Sequence, residues 1–132
     1  MRRALLATAA MNLVGALTFT PWGDTLRAFV GMPAGAHPVY LVTIASFVLI
    51  FGIAYLWTGL RGHADPLFIA VAAAGKLAFF GVLAGFWLAG ELPLLAPLTA
   101  LGDLVFGAMF VAWLAGVSPS ETRRSARGGR AA

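Results

Sequence analysis

Four apolar runs, each near the roughly 20 residues that a helix needs to cross a bilayer, leave this chain few ways to fold. The first extends from about Ala4 to Thr20 and is closed by Pro21, Trp22, Gly23 and Asp24. The second runs from Pro38 to Leu60, ahead of the polar turn Arg61, Gly62, His63, Ala64 and Asp65. The third starts at Pro66, where proline suits a first helical turn, and ends at Ala89 before Gly90, Glu91 and Pro93. The fourth spans Leu94 to Gly116. With 61% hydrophobic and 11% charged residues among 132, the chain lacks the polar side chains to cover a water-soluble globule. The fold class expected is therefore all-α: an antiparallel bundle of four transmembrane helices, about 4–20, 38–60, 66–89 and 94–116, in one domain over 1–117. The segment 118–132, SPSETRRSARGGRAA, is basic and aperiodic, and is expected to be a disordered tail. The absence of cysteine excludes disulfides, thiolate metal sites and cysteine nucleophiles.

Orientation follows from the arginines, because short cytoplasmic flanks retain Lys and Arg. Arg2, Arg3, Arg61, Arg123, Arg124, Arg127 and Arg130 share one side against Arg27 on the other, which puts both termini in the cytoplasm. Trp22 and Trp87 then fall at outer helix ends, Trp57 and Trp113 at inner ends, with Tyr40 and Tyr55 as further interfacial anchors. Arg2 and Arg3 before an apolar run also resemble a secretory signal peptide. No small-x-small cleavage site follows Phe19, so the run is expected to remain a helix. The one long connection, Pro21 to Pro38, contains DTLRAFVGMP. A short interfacial helix is expected there, capped by Asp24, with Leu26, Phe29 and Val30 facing the membrane surface.

Two ionisable residues interrupt the apolar runs near mid-membrane: Lys76 in AAAGKLAFF and Asp103 in ALGDLVFG. At about 1.5 Å per residue they lie roughly 15 and 20 Å from the cytoplasmic ends of their helices, within a lysine's reach of one level. A tight turn joins the third and fourth helices, so an ion pair across their interface is expected. Asn12, roughly 14 Å deep on the same ruler, is the natural third member. Thr99 shares the face of Asp103, while Ser46 and Thr43 lie nearer the outer side. Each of these hydroxyls can bond its own helix backbone. Phe79 and Phe80 flank Lys76, and Phe106 and Phe110 continue the Asp103 face, either as the wall of a lipophilic pocket or as ordinary packing. Gly81 and Gly85, spaced as GxxxG beside Ala74 and Ala78, predict close helix contact within or between subunits. The Lys76, Asp103 and Asn12 group reads equally as a polar clamp that fixes helix register or as a working site.

Other chemistries lack their residues. His37 and His63 fall on opposite membrane faces without a carboxylate cluster, so no metal is expected, and no cofactor motif is present. There is no glycine-rich phosphate loop and no hydrolase triad. The basic tail serves orientation and anionic headgroups, and no nucleic-acid partner is expected.

Phe51, Gly52 and Tyr55 are echoed by Phe106, Gly107 and Phe110; a duplicated hairpin would produce this, but a composition rich in Phe, Gly, Ala and Leu produces it more readily by chance. Asn12, Phe51-Gly52 with Tyr55, Gly75-Lys76, and Gly102-Asp103 with Phe106 give a chain that resembles small four-helix bacterial membrane proteins similar to the DoxX-like group. The resemblance implies the four-helix architecture and a bacterial inner-membrane setting. DoxX-like proteins are associated with quinol oxidation, an activity that no second motif here carries over. The function expected is an accessory subunit or a binder of a hydrophobic small molecule, with Asn12, Lys76, Asp103, Thr99, Phe80 and Phe106 as candidate ligand contacts. The alternatives are a proton-coupled or small-molecule transporter acting as an oligomer, and an intramembrane enzyme with Asp103 as general base and Lys76 as its electrostatic partner. Partners expected are the lipid bilayer, a lipophilic small molecule, and a homo-oligomer or larger membrane complex.

Overall fold

The computed structural model describes residues 1–117, all of whose regular elements are helical: α1 (Arg2–Thr18), α2 (Asp24–Phe29), α3 (Pro38–Arg61), α4 (Pro66–Leu88), α5 (Leu95–Thr99) and α6 (Leu101–Gly116). The tail assigned to 118–132 lies outside the described residues. Of these helices, α3 and α4 are each long and apolar enough to cross a membrane. A third candidate arises if α1 is joined to the Pro21–Phe29 segment, which turns away from it by 86°.

Local chemistry sets the boundaries. Pro38 opens α3 after His37, whose Nδ1 accepts from the Val39 N–H, and Gly62 closes it at φ 70°, a left-handed conformation that glycine adopts without steric cost. Asp65 caps α4 by accepting from the Phe68 N–H at 2.9 Å, with Pro66 in the first turn.

The fourth expected helix is not continuous. Pro97 lacks an N–H donor, and the backbone tightens around Ala100: its N–H bonds the Pro97 carbonyl, and the Asp103 N–H bonds the Ala100 carbonyl. The run therefore divides into α5 and α6, and Asp103 occupies the first turn of α6.

α1 packs antiparallel against α3 across glycines. A Cβ on Gly52 would lie 3.2 Å from Asn12 Cβ, and one on Gly59 would lie 2.9 Å from Leu6 Cδ2. α4 packs on α6 in the same manner, with Gly107 against Leu77. Gly81 and Gly85, expected to make close contact within or between subunits, have nothing within 4 Å of a Cβ among the described residues, and the glycines that bring these helices together are 52, 59 and 107. Among the helices of the described residues, the two hairpins approach each other's backbone along α1 and α6, where Gly102 meets Met11, and the connections approach where Gly31 meets Pro93.

The sequence echo extends through both hairpins. Buried Leu5, Thr8 and Ala9 of α1 correspond in spacing to buried Ile69, Ala72 and Ala73 of α4. Asn12 corresponds to Lys76, and Leu13 to Leu77, each leucine lying against the glycine of its own FG pair. On the returning helices Gly52 and Tyr55 match Gly107 and Phe110, all four buried. Tyr55 and Phe110 meet between the hairpins at 6.1 Å between ring centroids. Tyr55 is thus a core residue, only 2% exposed, and not the interfacial anchor that its position near a helix end suggested.

The connection between α1 and α3 departs from expectation in two details. Asp24 does not cap α2; the N-cap is Gly23, and the Asp24 carboxylate pairs with Arg27. Arg27 is buried because it folds back on α1, donating to the carbonyls of Thr18 and Thr20, where the end of a helix carries unpaired acceptors and partial negative charge. Leu26 and Phe29 are exposed as expected, but Val30 is buried, turned inward with Met32.

Candidate functional site

Lys76 lies in the middle of α4 and is 4% exposed. An ammonium removed from water needs acceptors, and two helices supply them. Nζ donates to Asp103 Oδ1 at 2.7 Å and to Asn12 Oδ1 at 3.1 Å. The Asn12 amide is oriented in turn by donating its Nδ2 hydrogen to the Val48 carbonyl on α3, at 3.3 Å. The Tyr55 ring centroid lies 5.6 Å from Nζ, close enough for its π face to add attraction. One polar cluster thus joins α1, α3, α4 and α6.

The charges are asymmetrically sheltered: the side chain of Lys76 is 5% exposed and that of Asp103 18%. Asp103 is further favoured by its place in the first turn of α6, where unpaired N–H groups face negative charge. An ammonium has three N–H bonds, of which Asp103 and Asn12 take two, and the third has no acceptor among the described residues.

Beside this cluster, between the hairpins, lies a cavity of about 370 Å³. This is within the roughly 300–1,000 Å³ typical of small-molecule sites. Phe47, Phe51 and Tyr55 of α3 wall one side, and Val71, Ala72, Gly75 and Phe79 of α4 the other. Phe19, Leu26, Val30 and Met32 contribute from the α1–α3 connection. Asn12, Lys76, Asp103 and Thr99 supply its polar groups.

Of the six candidate contacts, the structure unites Asn12, Lys76 and Asp103 in one hydrogen-bonded group. Thr99 reaches the cavity wall, but its hydroxyl is engaged with the Ala96 carbonyl at 2.7 Å. Thr43 and Ser46 likewise bond the backbone one turn earlier. Phe80 does not line the cavity; it packs on the cluster of Leu83, Leu92, Ala96 and Ala100. Phe106 packs on the core around Tyr55 and Phe110 and is also absent from the wall. The misplacement of Phe80 follows from helix periodicity, because a residue one position from the wall residue Phe79 is turned about 100° away from it; Phe106 lies one turn beyond Asp103, past the end of the cavity wall and beside the core.

Sequence reasoning missed Phe47, Phe51 and Tyr55 of α3 and the Val48 carbonyl. The repeated FGxxY and FGxxF spacing was the available signal for Tyr55; a main-chain acceptor leaves none. Among the described residues no group of three His, Asp or Glu is placed to hold a metal ion. Comparison of the chain with protein-family models, with curated proteins and with solved structures found no match.

Proposed function

We propose that this chain is a four-pass integral membrane protein, with both termini cytoplasmic, that binds a hydrophobic small molecule in the cavity between its hairpins. The observation that carries the reading is the cavity: aromatic and aliphatic walls converge on a buried Lys76–Asp103 pair held by Asn12. Lipophile sites commonly combine apolar walls with a few fixed polar groups that orient the ligand. Each of α1 and α6 is shorter than about 20 residues; α5 precedes α6 along the same apolar run, whereas the Pro21–Phe29 segment turns by 86° at the end of α1 and suits the membrane interface. The arginine distribution sets the orientation.

Native mass spectrometry of the protein released from lipid nanodiscs tests the binding. The expected spectrum contains an adduct of defined mass on the unaltered chain and lacks it in Gly15→Phe. That substitution adds a ring to the cavity wall at a point where a Cβ would meet only Val48, at 3.9 Å. A bare unaltered chain, or an adduct indifferent to Gly15→Phe, refutes the reading. A second reading, catalysis with Asp103 as general base, is favoured by the cavity's reaching that carboxylate. It requires that Asp103→Asn retain the adduct while the bound molecule ceases to be converted.

A further inference from the structure

We propose that the cavity opens sideways into the bilayer between α3 and α4, and that it admits an uncharged lipophile carrying one hydrogen-bond acceptor. This rests on the binding reading above and adds to it the route and the chemical class of the ligand.

The route follows from how the hairpins meet. On one side the backbones of α1 and α6 are in contact, closed by Gly102 against Met11. On the other, the backbones of α3 and α4 make no such approach; Tyr55 and Phe68 meet across the gap with ring centroids 5.5 Å apart, and the cavity occupies the space beyond them. The wall residues Phe47 on α3 and Val71, Gly75 and Phe79 on α4 are exposed, so they form the lips of an opening. α3 and α4 are also the two helices that qualify individually as membrane spans. Gly75 lies about 14 Å along α4 from Pro66, near the middle of a hydrocarbon layer of about 30 Å. An apolar opening at that depth faces acyl chains. Towards the α1–α3 connection the cavity is lined by Leu26, Val30 and Met32.

The class of ligand follows from charge and donor count. Lys76 and Asp103 neutralise each other, so a charged headgroup would bring an uncompensated charge to mid-membrane. The uncommitted N–H of Lys76 asks for an acceptor such as a carbonyl or ether oxygen. A phospholipid would have to draw its headgroup to the bilayer centre, whereas a weakly polar chain molecule already dissolves there.

Gly75 provides the test, because a Cβ there meets nothing within 4 Å, and the same holds for Gly81, which does not line the cavity. The full chain is placed in dioleoylphosphatidylcholine vesicles containing a long-chain ketone with an alkyl diazirine, irradiated, and mapped by mass spectrometry. Adducts are expected on Tyr55 and Ala72, both buried and both facing the cavity. In Gly75→Trp they should fall about tenfold, since a bulky ring obstructs a site fitted to smaller groups; in Gly81→Trp they should persist. Persistence of the adducts in Gly75→Trp overturns the lateral route and leaves the binding reading standing. Their absence from the unaltered protein overturns both.

An independent measurement uses a nitroxide attached to Gly75→Cys, a unique thiol in a chain without cysteine. Dioxygen should relax the nitroxide more strongly than a water-soluble nickel chelate, as at Gly81→Cys. The reverse order would place the opening in water and reject the lateral route alone.

Discussion

Replacing both members of the Lys76–Asp103 pair with apolar side chains should harm the protein less than replacing one. Nζ and Oδ1 are 2.7 Å apart, and the amine is the more deeply sequestered partner. Asp103→Leu leaves the ammonium with Asn12 Oδ1, 3.1 Å away, as its remaining side-chain acceptor among the described residues. The expected loss is about 3–5 kcal/mol, as for a buried pair broken from one side. Lys76→Met strands a carboxylate that retains partial exposure and the first-turn amides of α6, a placement worth about 0.3–2 kcal/mol, so its loss should be smaller by about that amount. In Lys76→Met with Asp103→Leu, the desolvation cost disappears together with the attraction, and stability should lie within about 1 kcal/mol of the unaltered chain or above it. Unfolding by dodecyl sulfate in mixed micelles, followed by circular dichroism, measures all four proteins. A double variant whose loss equals the sum of the single losses would refute the pairing. A larger loss for Lys76→Met than for Asp103→Leu would refute the ranking of the two environments.

Three further outcomes are expected from the same assay. Arg27→Met removes the donor to Thr18 and Thr20 and the partner of Asp24, and should cost about 1–3 kcal/mol, with faster hydrogen exchange confined to Pro21–Val30; unchanged exchange there would contradict the capping role. Thr8→Val should be neutral or stabilising by up to about 1 kcal/mol, because the Thr8 hydroxyl is buried without a hydrogen-bond partner among the described residues; a clear loss would show that it has one. Gly107→Ala should cost about 1–3 kcal/mol, since the new Cβ would lie 2.8 Å from Leu77 Cγ, while Gly85→Ala, with open space around it, should gain up to about 1 kcal/mol from helix propensity. Equal effects at the two glycines would contradict the packing.

Much of this arrangement was legible because lipid-soluble helices announce themselves by length and because intramembrane charge is rare. The starts of α3 and α4 at Pro38 and Pro66 match the sequence reading, as does the meeting of Lys76, Asp103 and Asn12. Continuity was harder to read. Pro97 was visible inside an apolar run, but hydropathy counts side chains and is indifferent to a missing backbone donor, so α5 and α6 read as one helix. On α4 the cavity wall was legible to within one residue, because Phe79 and Phe80 are equally apolar and only the angular placement of α4 against its neighbours selects Phe79; the α3 wall carried no charged residue to point to it and was missed. The GxxxG spacing of Gly81 and Gly85 finds no partner helix among the described residues, and its alternative, contact between subunits, stays open. Such spacing marks where a helix can approach another, and the approaches made within this chain use glycines 52, 59 and 107.

The matched hairpins carry a consequence for charge. Asn12 and Lys76 occupy equivalent places in the spacing of the two hairpins and touch where the hairpins meet. Perfect symmetry would set two lysines face to face, about 3 Å apart in hydrocarbon, and their repulsion would prevent assembly. A single cation at this junction demands that one half carry a neutral residue at the matching place. The first half has done so, presenting an amide that gives its hydrogen to the Val48 carbonyl where the second half gives one to Asp103. Inequivalence of the halves is therefore a precondition for placing a charge at their junction, and it gives the cavity between them a distinct left and right.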